Sequence, residues 1–278
     1  MNKEPFDFLK QIEETPSVSG YEQPVARLVR KRMSKWADTI ETDVHGNVIV
    51  SANTKKNLPR VMLAGHMDQI GLMINYVTDD GFIYFRSVGG IDATVLPGSR
   101  VTIHTRNGPV EGVIGRKPIH LMKTEERNSG KVEIENLWID IGAGSRDAAM
   151  KQLEIGDIAT YKLGLIRLGD DFVASPGLDN KVGTWVVMEA LRIAVESKKL
   201  KCAVYGVATV HEEIGLRGAR TSCFGIDPLV GIAVDVTHAS DNPGTDKKVA
   251  GGGKLRPGAG PGGGPARPPA PLFLVLGG

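Results

Sequence analysis

Apolar residues near the start of the chain recur with a helical period. Phe6, Leu9 and Ile12 share one face of a first predicted helix. Val25, Leu28, Val29 and Met33 share one face of a second, which starts near Gly20-Tyr21-Glu22. Asp43 to Val50 then predicts two strands joined at His45-Gly46-Asn47. Further on the pattern turns to short continuous apolar runs. Arg60–Ala64, Lys201–Thr209 and Leu229–Val234 read as strands buried on both faces. A long helical stretch separates the first two, running through Val182, Val186, Val187, Ala190, Leu191 and Ala194. Buried strands alternating with amphipathic helices predict an α/β fold.

Residues 71–165 break that rhythm. Gly81–Phe85, Arg100–His104, Pro109–Ile114 and Leu153–Asp157 are β-like pieces between Gly and Pro turns, with a short helix near Ser145–Leu153. This spacing predicts a small β-barrel or sandwich inserted into an α/β core formed by 1–70 and 166–246. Residues 247–278 are rich in Gly and Pro and predict a disordered tail.

Composition changes this picture little. Of 278 residues, 41% are apolar and 24% charged, as in soluble globular proteins. No apolar run is long enough to span a bilayer, and Met1–Lys10 has no signal-peptide core. Cys202 and Cys223 sit in apolar contexts and are expected to be buried free thiols, which favours the cytoplasm. The net charge of +2 hides an asymmetry. Five Lys and Arg residues and no acid lie after Asp246, so +2 less +5 leaves −3 for residues 1–246. A mildly acidic folded part argues against a nucleic-acid partner.

The chemistry lies at the ends of the buried runs. His66 and Asp68 follow the first, in Ala64-Gly65-His66-Met67-Asp68. Glu212 and Glu213 follow the second, and Asp235 ends the third. Asp179 opens the long helix, in Pro176-Gly177-Leu178-Asp179-Asn180-Lys181. Open α/β sheets place their sites at such strand ends. These residue types suit a hydrolytic site holding two divalent cations. Asp179 is the candidate bridge, His66 and Asp235 complete one cation's ligands, and Glu213 serves the other. Asp68 would orient the His66 ring, and Glu212 would act as general base. Each residue also has a plainer reading. His66 could be a core histidine, Asp179 a helix cap, Glu212 and Glu213 a helix start, and Asp235 a turn residue. His211 and His238 read as structural or supporting groups, while His45, His104 and His120 read as bystanders, with a place near the site or an assembly contact as the alternative for His120.

Gly-His-Met-Asp, Pro-Gly-Leu-Asp-Asn-Lys, His-Glu-Glu-Ile-Gly-Leu-Arg-Gly-Ala and Val-Asp-Val-Thr-His, in this order, resemble the M42 aminopeptidases. That family includes the tetrahedral TET peptidases and proteins once labelled cellulase M or endoglucanase. Gly115–His120 is similar to a family segment as well. The resemblance covers about residues 5 to 246. It implies a phosphorylase/hydrolase-like metallopeptidase core with an inserted β-barrel-like dimerisation domain. It also implies two Zn2+ or Co2+ ions, short peptide substrates, and homo-oligomers from dimer to dodecamer. His66, Asp179, Glu213 and Asp235 match its metal ligands, Glu212 its base and Asp68 its orienting residue.

The family continues past Asp246 with more sheet and helix and supplies a last metal-binding His there. The stretch from Lys247 resembles the product of a frame shift. An assembly protein without turnover is therefore an alternative reading, and an endoglucanase a more distant one.

Overall fold

The computed structural model describes residues 3–55, 57–250 and 272–275. Helix α1 (Lys3–Glu13) buries Phe8, Leu9 and Ile12, so Phe8 rather than the expected Phe6 completes its inner face. Phe6 lies half-buried beneath the Arg167 guanidinium, 5.1 Å from its ring centre. Helix α2 (Gln23–Met33) starts with a proline in its first turn, where no backbone N–H is missed. It buries Val25, Ala26, Val29 and Met33.

Strands β1 (Thr39–Thr42) and β2 (Val48–Ala52) form an antiparallel hairpin. Asp43 shapes its turn, its Oδ1 accepting from the N–H groups of His45, Gly46 and Asn47. Strand β3 (Arg60–His66) begins the parallel part of the main sheet.

The chain then enters a closed barrel. Its strands are β4 (Gly71–Val77), β5 (Ile83–Val88), β6 (Arg100–Thr105), β7 (Gly108–Arg116), β8 (Leu137–Asp140) and β9 (Ile158–Tyr161), in the spatial order β4-β5-β8-β7-β6-β9. Closure removes every free edge. Leu72, Ile74, Ile83, Phe85, Val101, Ile103, Ile114 and Ile139 fill the interior. Short helices α3 (Thr124–Ser129) and α4 (Arg146–Met150) lie in its connections. Leu153–Asp157, expected as a β-like piece, is a turn instead. Glu154 N–H donates to Asp157 Oδ2, and Gly156 takes a positive φ of 96° that defeats strand pairing.

After a two-stranded ribbon, β10 (Ile166–Leu168) and β11 (Phe172–Ala174), the chain returns to the core. There follow α5 (Leu178–Glu196), β12 (Ala203–Thr209), α6 (Arg217–Ile226) and β13 (Val230–Val234). Beyond lie α7 (Lys247–Ala250) and β14 (Leu272–Val275). The main sheet has the order β1-β2-β12-β3-β13-β14, with β12 and β13 parallel to β3. Four residues of the stretch expected to be a disordered tail thus pair antiparallel with β13. Residues 251–271 and 276–278 of that stretch lie outside the described residues.

Helices α1, α2 and α5 cover one sheet face, where Val50, Val187, Leu191, Val204 and Ala208 meet. Helix α6 covers the other, with Ile226 against Met62, Ala64 and Val207. Alternate residues of β12 therefore serve opposite cores, the physical reason for its continuous apolar run. Each such burial contributes about 1.5–3 kcal/mol for a full Val, Leu or Ile side chain. Gly65 allows α5 to approach β3 closely, because a Cβ there would stand 2.6 Å from the Gly183 carbonyl carbon. Among the described residues, no helix is long and apolar enough to cross a membrane.

Both cysteines are free, but the expectation of burial is not met: Cys202 is half-buried, and α6 presents Cys223 to solvent. A helix with one buried stripe exposes its other side, and Cys223 falls there while Ser222 faces inward.

Candidate metal centre

Parallel strands β3, β12 and β13 end side by side, so the groups that follow them converge. His66 closes β3 and is almost fully buried. Its Nδ1 lies 2.9 Å from the Asp68 main-chain oxygen, an acceptor, so Nδ1 carries the proton in this contact. That contact leaves Nε2 facing a ring of carboxylates. Asp179 Oδ1 lies 3.3 Å from Nε2, Glu212 Oε2 3.7 Å and Asp235 Oδ1 3.9 Å.

Asp68 is fully buried and saturated. Its Oδ2 accepts from Ser19 Oγ at 2.5 Å and from Glu213 N–H at 3.1 Å. Its Oδ1 accepts from Glu212 N–H at 3.1 Å and lies 3.5 Å from His66 Nδ1. Burial alone would raise its pKa. The hydrogen bonds from His66 and Ser19, the His66 charge and the Glu212 N–H outweigh burial and lower it. Asp68 therefore anchors both the imidazole and the main chain of the acidic turn.

Asp179 does not cap α5. Gly177 occupies the cap position, and the backbone departs from helical angles at Asp179 and Asn180. Asn180 does the local work. Its Oδ1 accepts from Gly183 N–H at 2.9 Å, and its Nδ2 donates to the Val234 oxygen at 2.8 Å, beside Asp235. The Asp179 turn is thus tied to the end of β13. Glu212 and Glu213 lie in a turn before α6 rather than in its first turn, so stabilising the helix dipole does not explain them.

A second anchor was not legible in the sequence. Lys181 is fully buried, and its Nζ donates to the Thr15 oxygen at 2.8 Å. Glu13, also buried, is its charge partner, and Glu13 Oε2 accepts from Ser175 Oγ at 2.9 Å. Burial lowers the Lys181 pKa to about 8 against the pull of Glu13. Ser175 and Lys181 flank Asp179, so this pair clamps both sides of its turn to the end of α1. Ser19, Glu13, Asn180 and Lys181 are the supporting residues that sequence reasoning missed. The motif held Asn180 and Lys181 in view, but nothing local marked their partners.

Two donor groups result. His66, Asp179 and Asp235 bring ligand atoms within 4.8 Å of one another, and so do His66, Glu212 and Glu213. Their electrostatics suit cations. Burial would lower the His66 pKa, yet hydrogen bonds to Asp179 and Asp68, with the charges of Asp68 and Glu212, push it up to about 10. Burial, then the Asp179 charge, pushes Glu213 up to about 7, with Glu212 and Asp68 adding and His66 opposing. Burial also raises Glu212, and the charges of Asp235, Asp68 and Asp179 add to it against the pull of His66. Four carboxylates around one imidazole are short of positive charge, and divalent cations would relieve that shortage.

The other histidines stand apart. His211 Nε2 faces Glu22 Oε1 at 3.5 Å, and the His45 ring meets it edge-on at 6.3 Å. His104 hydrogen-bonds Thr160 Oγ1 at 2.9 Å in the barrel. His120 and His238 are exposed.

The family model described as M42 glutamyl aminopeptidase matches residues 46–261. The chain is 39% identical over 236 residues to a lysyl aminopeptidase of Pyrococcus furiosus, covering 84% of this chain and 67% of that protein. It is 31% identical over 253 residues to a glutamyl aminopeptidase of Lactococcus lactis, covering 89% and 71%. A TET aminopeptidase structure from a marine sediment Thaumarchaeota archaeon is similar at a TM-score of 0.86 and 31% identity, covering 91% of this chain and 71% of that one. The Pyrococcus horikoshii TET1 peptidase, which can assemble into a tetrahedron or a large octahedral shell, is similar at a TM-score of 0.76 and 34% identity, covering 86% and 70%.

Proposed function

This chain belongs to the M42 family of aminopeptidases, and we propose that the cluster around His66 is its dinuclear metal centre, where N-terminal residues are cut from short peptides. The observation that carries this is the convergence of Asp179, Glu212 and Asp235 on His66 Nε2. His66, Asp179 and Asp235 would hold one cation. Glu213 would hold the other, with Asp179 shared between them. Imidazole and carboxylate donors suit Zn2+ or Co2+. Such cations supply Lewis acidity, which acidifies water and stabilises the oxyanion of a tetrahedral intermediate.

Glu212 is the general base. Its carboxyl, raised by burial and by its acidic neighbours, takes the proton of the attacking water and passes it to the leaving amine. Asp68 holds the His66 ring by its Nδ1 edge and fixes the Glu212 main chain, so base and ligand keep their spacing through the reaction. The surplus of carboxylates favours a substrate's free N-terminal ammonium, which restricts cutting to chain ends.

We read residues 71–165 as an inserted assembly domain between the core segments 1–70 and 166–246. In support, the barrel exposes Met73, Tyr76, Val95 and Val113, and TET relatives form shells. A homo-oligomer would cover such apolar surface. The free thiols Cys202 and Cys223 support a reducing, cytoplasmic setting.

The test is release of p-nitroaniline from amino-acid p-nitroanilides by purified protein with Zn2+ or Co2+, beside Glu212→Gln. Metal-dependent release that falls at least about 100-fold in the variant is expected from loss of a general base. Absence of release by folded, metal-loaded protein would refute the proposal.

A further inference from the structure

A cavity of about 510 Å3 lies between α2 and the β1–β2 hairpin, lined in part by Arg27, Arg30, His45, His211, Thr42 and Glu22. Its size is in the range of small-molecule sites. Basic groups outnumber acids in its lining. Arg27 and Arg30 are three residues apart on α2 and so project from one helix face. Among the described residues neither makes an ion pair, and α2 contains no acid that could serve them. Arg32, in the same last turn as Arg30, instead pairs with both Glu4 and Glu189. The helix dipole favours basic residues in the last turn, which accounts for Arg30 but not for Arg27.

The acids nearby are engaged elsewhere through at least one oxygen. Glu22 is buried, and its Oε1 accepts from Gly20 N–H at 2.9 Å and His211 N–H at 3.3 Å while facing the His211 ring. In the hairpin, Asp43 accepts three turn N–H groups on Oδ1 and Asn47 Nδ2 on Oδ2. Two guanidiniums without an ion pair and the His45 ring therefore share one concavity with His211, and among the described residues Glu22, engaged through its Oε1, is the one acid in its lining.

We propose that this cavity binds a small phosphate monoester, its phosphate held by Arg27 and Arg30 with His45 as a further donor. Guanidinium pairs match the several oxygens of a phosphate bidentately, and the volume leaves room for a small organic body. The site is separate from the His66 cluster, since none of its lining residues is a proposed metal ligand or base.

The test is calorimetric titration of metal-loaded protein with glycerol 3-phosphate at fixed ionic strength, beside succinate as a dicarboxylate probe. Saturable one-site binding of the phosphate ester is expected, weakened at least about tenfold in Arg27→Gln/Arg30→Gln by loss of two charge-assisted contacts. It should be unchanged in Lys199→Gln/Lys201→Gln, which removes equal charge at the opposite end of the sheet. Circular dichroism checks the fold. Should the double variant not fold, Arg27→Gln, an exposed position, is expected to weaken binding about threefold on the same ground. The proposal is overturned by absence of saturable binding, by equal binding of succinate, or by binding that these arginine substitutions leave intact. That last outcome would place the phosphate at the metal centre.

Discussion

Asp68 and Glu213 are 145 residues apart in sequence, yet the Glu213 N–H donates to Asp68 Oδ2 at 3.1 Å. The same carboxylate holds Glu212 and faces His66. One buried aspartate thus sets the spacing of an imidazole and two acids. Asp68→Asn keeps the volume but puts a donor where N–H groups need an acceptor. We expect metal affinity to fall about 10–100-fold, the usual effect of losing a partner that orients a ligand. Zinc titration checks this, and unaltered affinity would remove Asp68 from the site.

The Lys181–Glu13 pair predicts a stability effect with a defined rescue. Lys181→Met leaves the Thr15 oxygen without its donor and Glu13 buried without the nearby positive charge, which should cost about 1–3 kcal/mol. Lys181→Met with Glu13→Gln removes both charges and should recover part of that loss. Urea unfolding of the two variants measures the difference. Equal losses would mean that the pair does not couple.

Gly65→Ala should be severe for its size. The new Cβ would meet the Gly183 backbone at 2.6 Å, so α5 must move away from β3. The expected loss is about 1–3 kcal/mol for an overpacked contact. Metal affinity should fall with it, because His66 and Asp179 ride on those two elements. A variant with wild-type melting temperature would contradict this close approach.

His104 gives a pH prediction. Burial first, then the Lys181 charge, lowers its pKa to about 4, opposed by Glu111. Its folded pKa lies below the unfolded value of 6.5, so in acid the unfolded state binds more protons. Its contribution to stability is full above pH 6.5 and declines as pH falls towards 4. His104→Gln should flatten the decline of the urea midpoint between these values relative to the parent. Parallel profiles for both proteins would refute this.

Much of the site was legible because its chemistry follows directly on apolar runs. His66 and the Glu212–Glu213 pair end or follow runs that the core largely buries, whereas the run before Asp235, expected to be buried on both faces, is only half-buried because β13 lies near the sheet edge with Leu229 and Ala233 exposed. Supporting residues were not legible for a complementary reason. Lys181 and Glu13 are charged residues in helices, and pattern reading sends such residues to the surface. Only the fold reveals that both point inward, where the Glu13 charge acts on Lys181. Similarly, Asp179 looked like a cap because a short acid precedes a helix, but Asn180 one residue later holds the turn. In the barrel, Leu153–Asp157 carried β-like alternation that the Gly156 turn overrode. The cavity beside α2 left no mark in sequence, since its basic residues come from a helix, a hairpin and a strand end.

The central claim is that two cations sit at the His66 cluster. Anomalous diffraction at the zinc edge from zinc-soaked crystals tests it most directly. We predict two peaks, one among His66, Asp179 and Asp235 and one beside Glu213, with Asp179 between them. No peak at these residues, or zinc bound only elsewhere, would contradict the account.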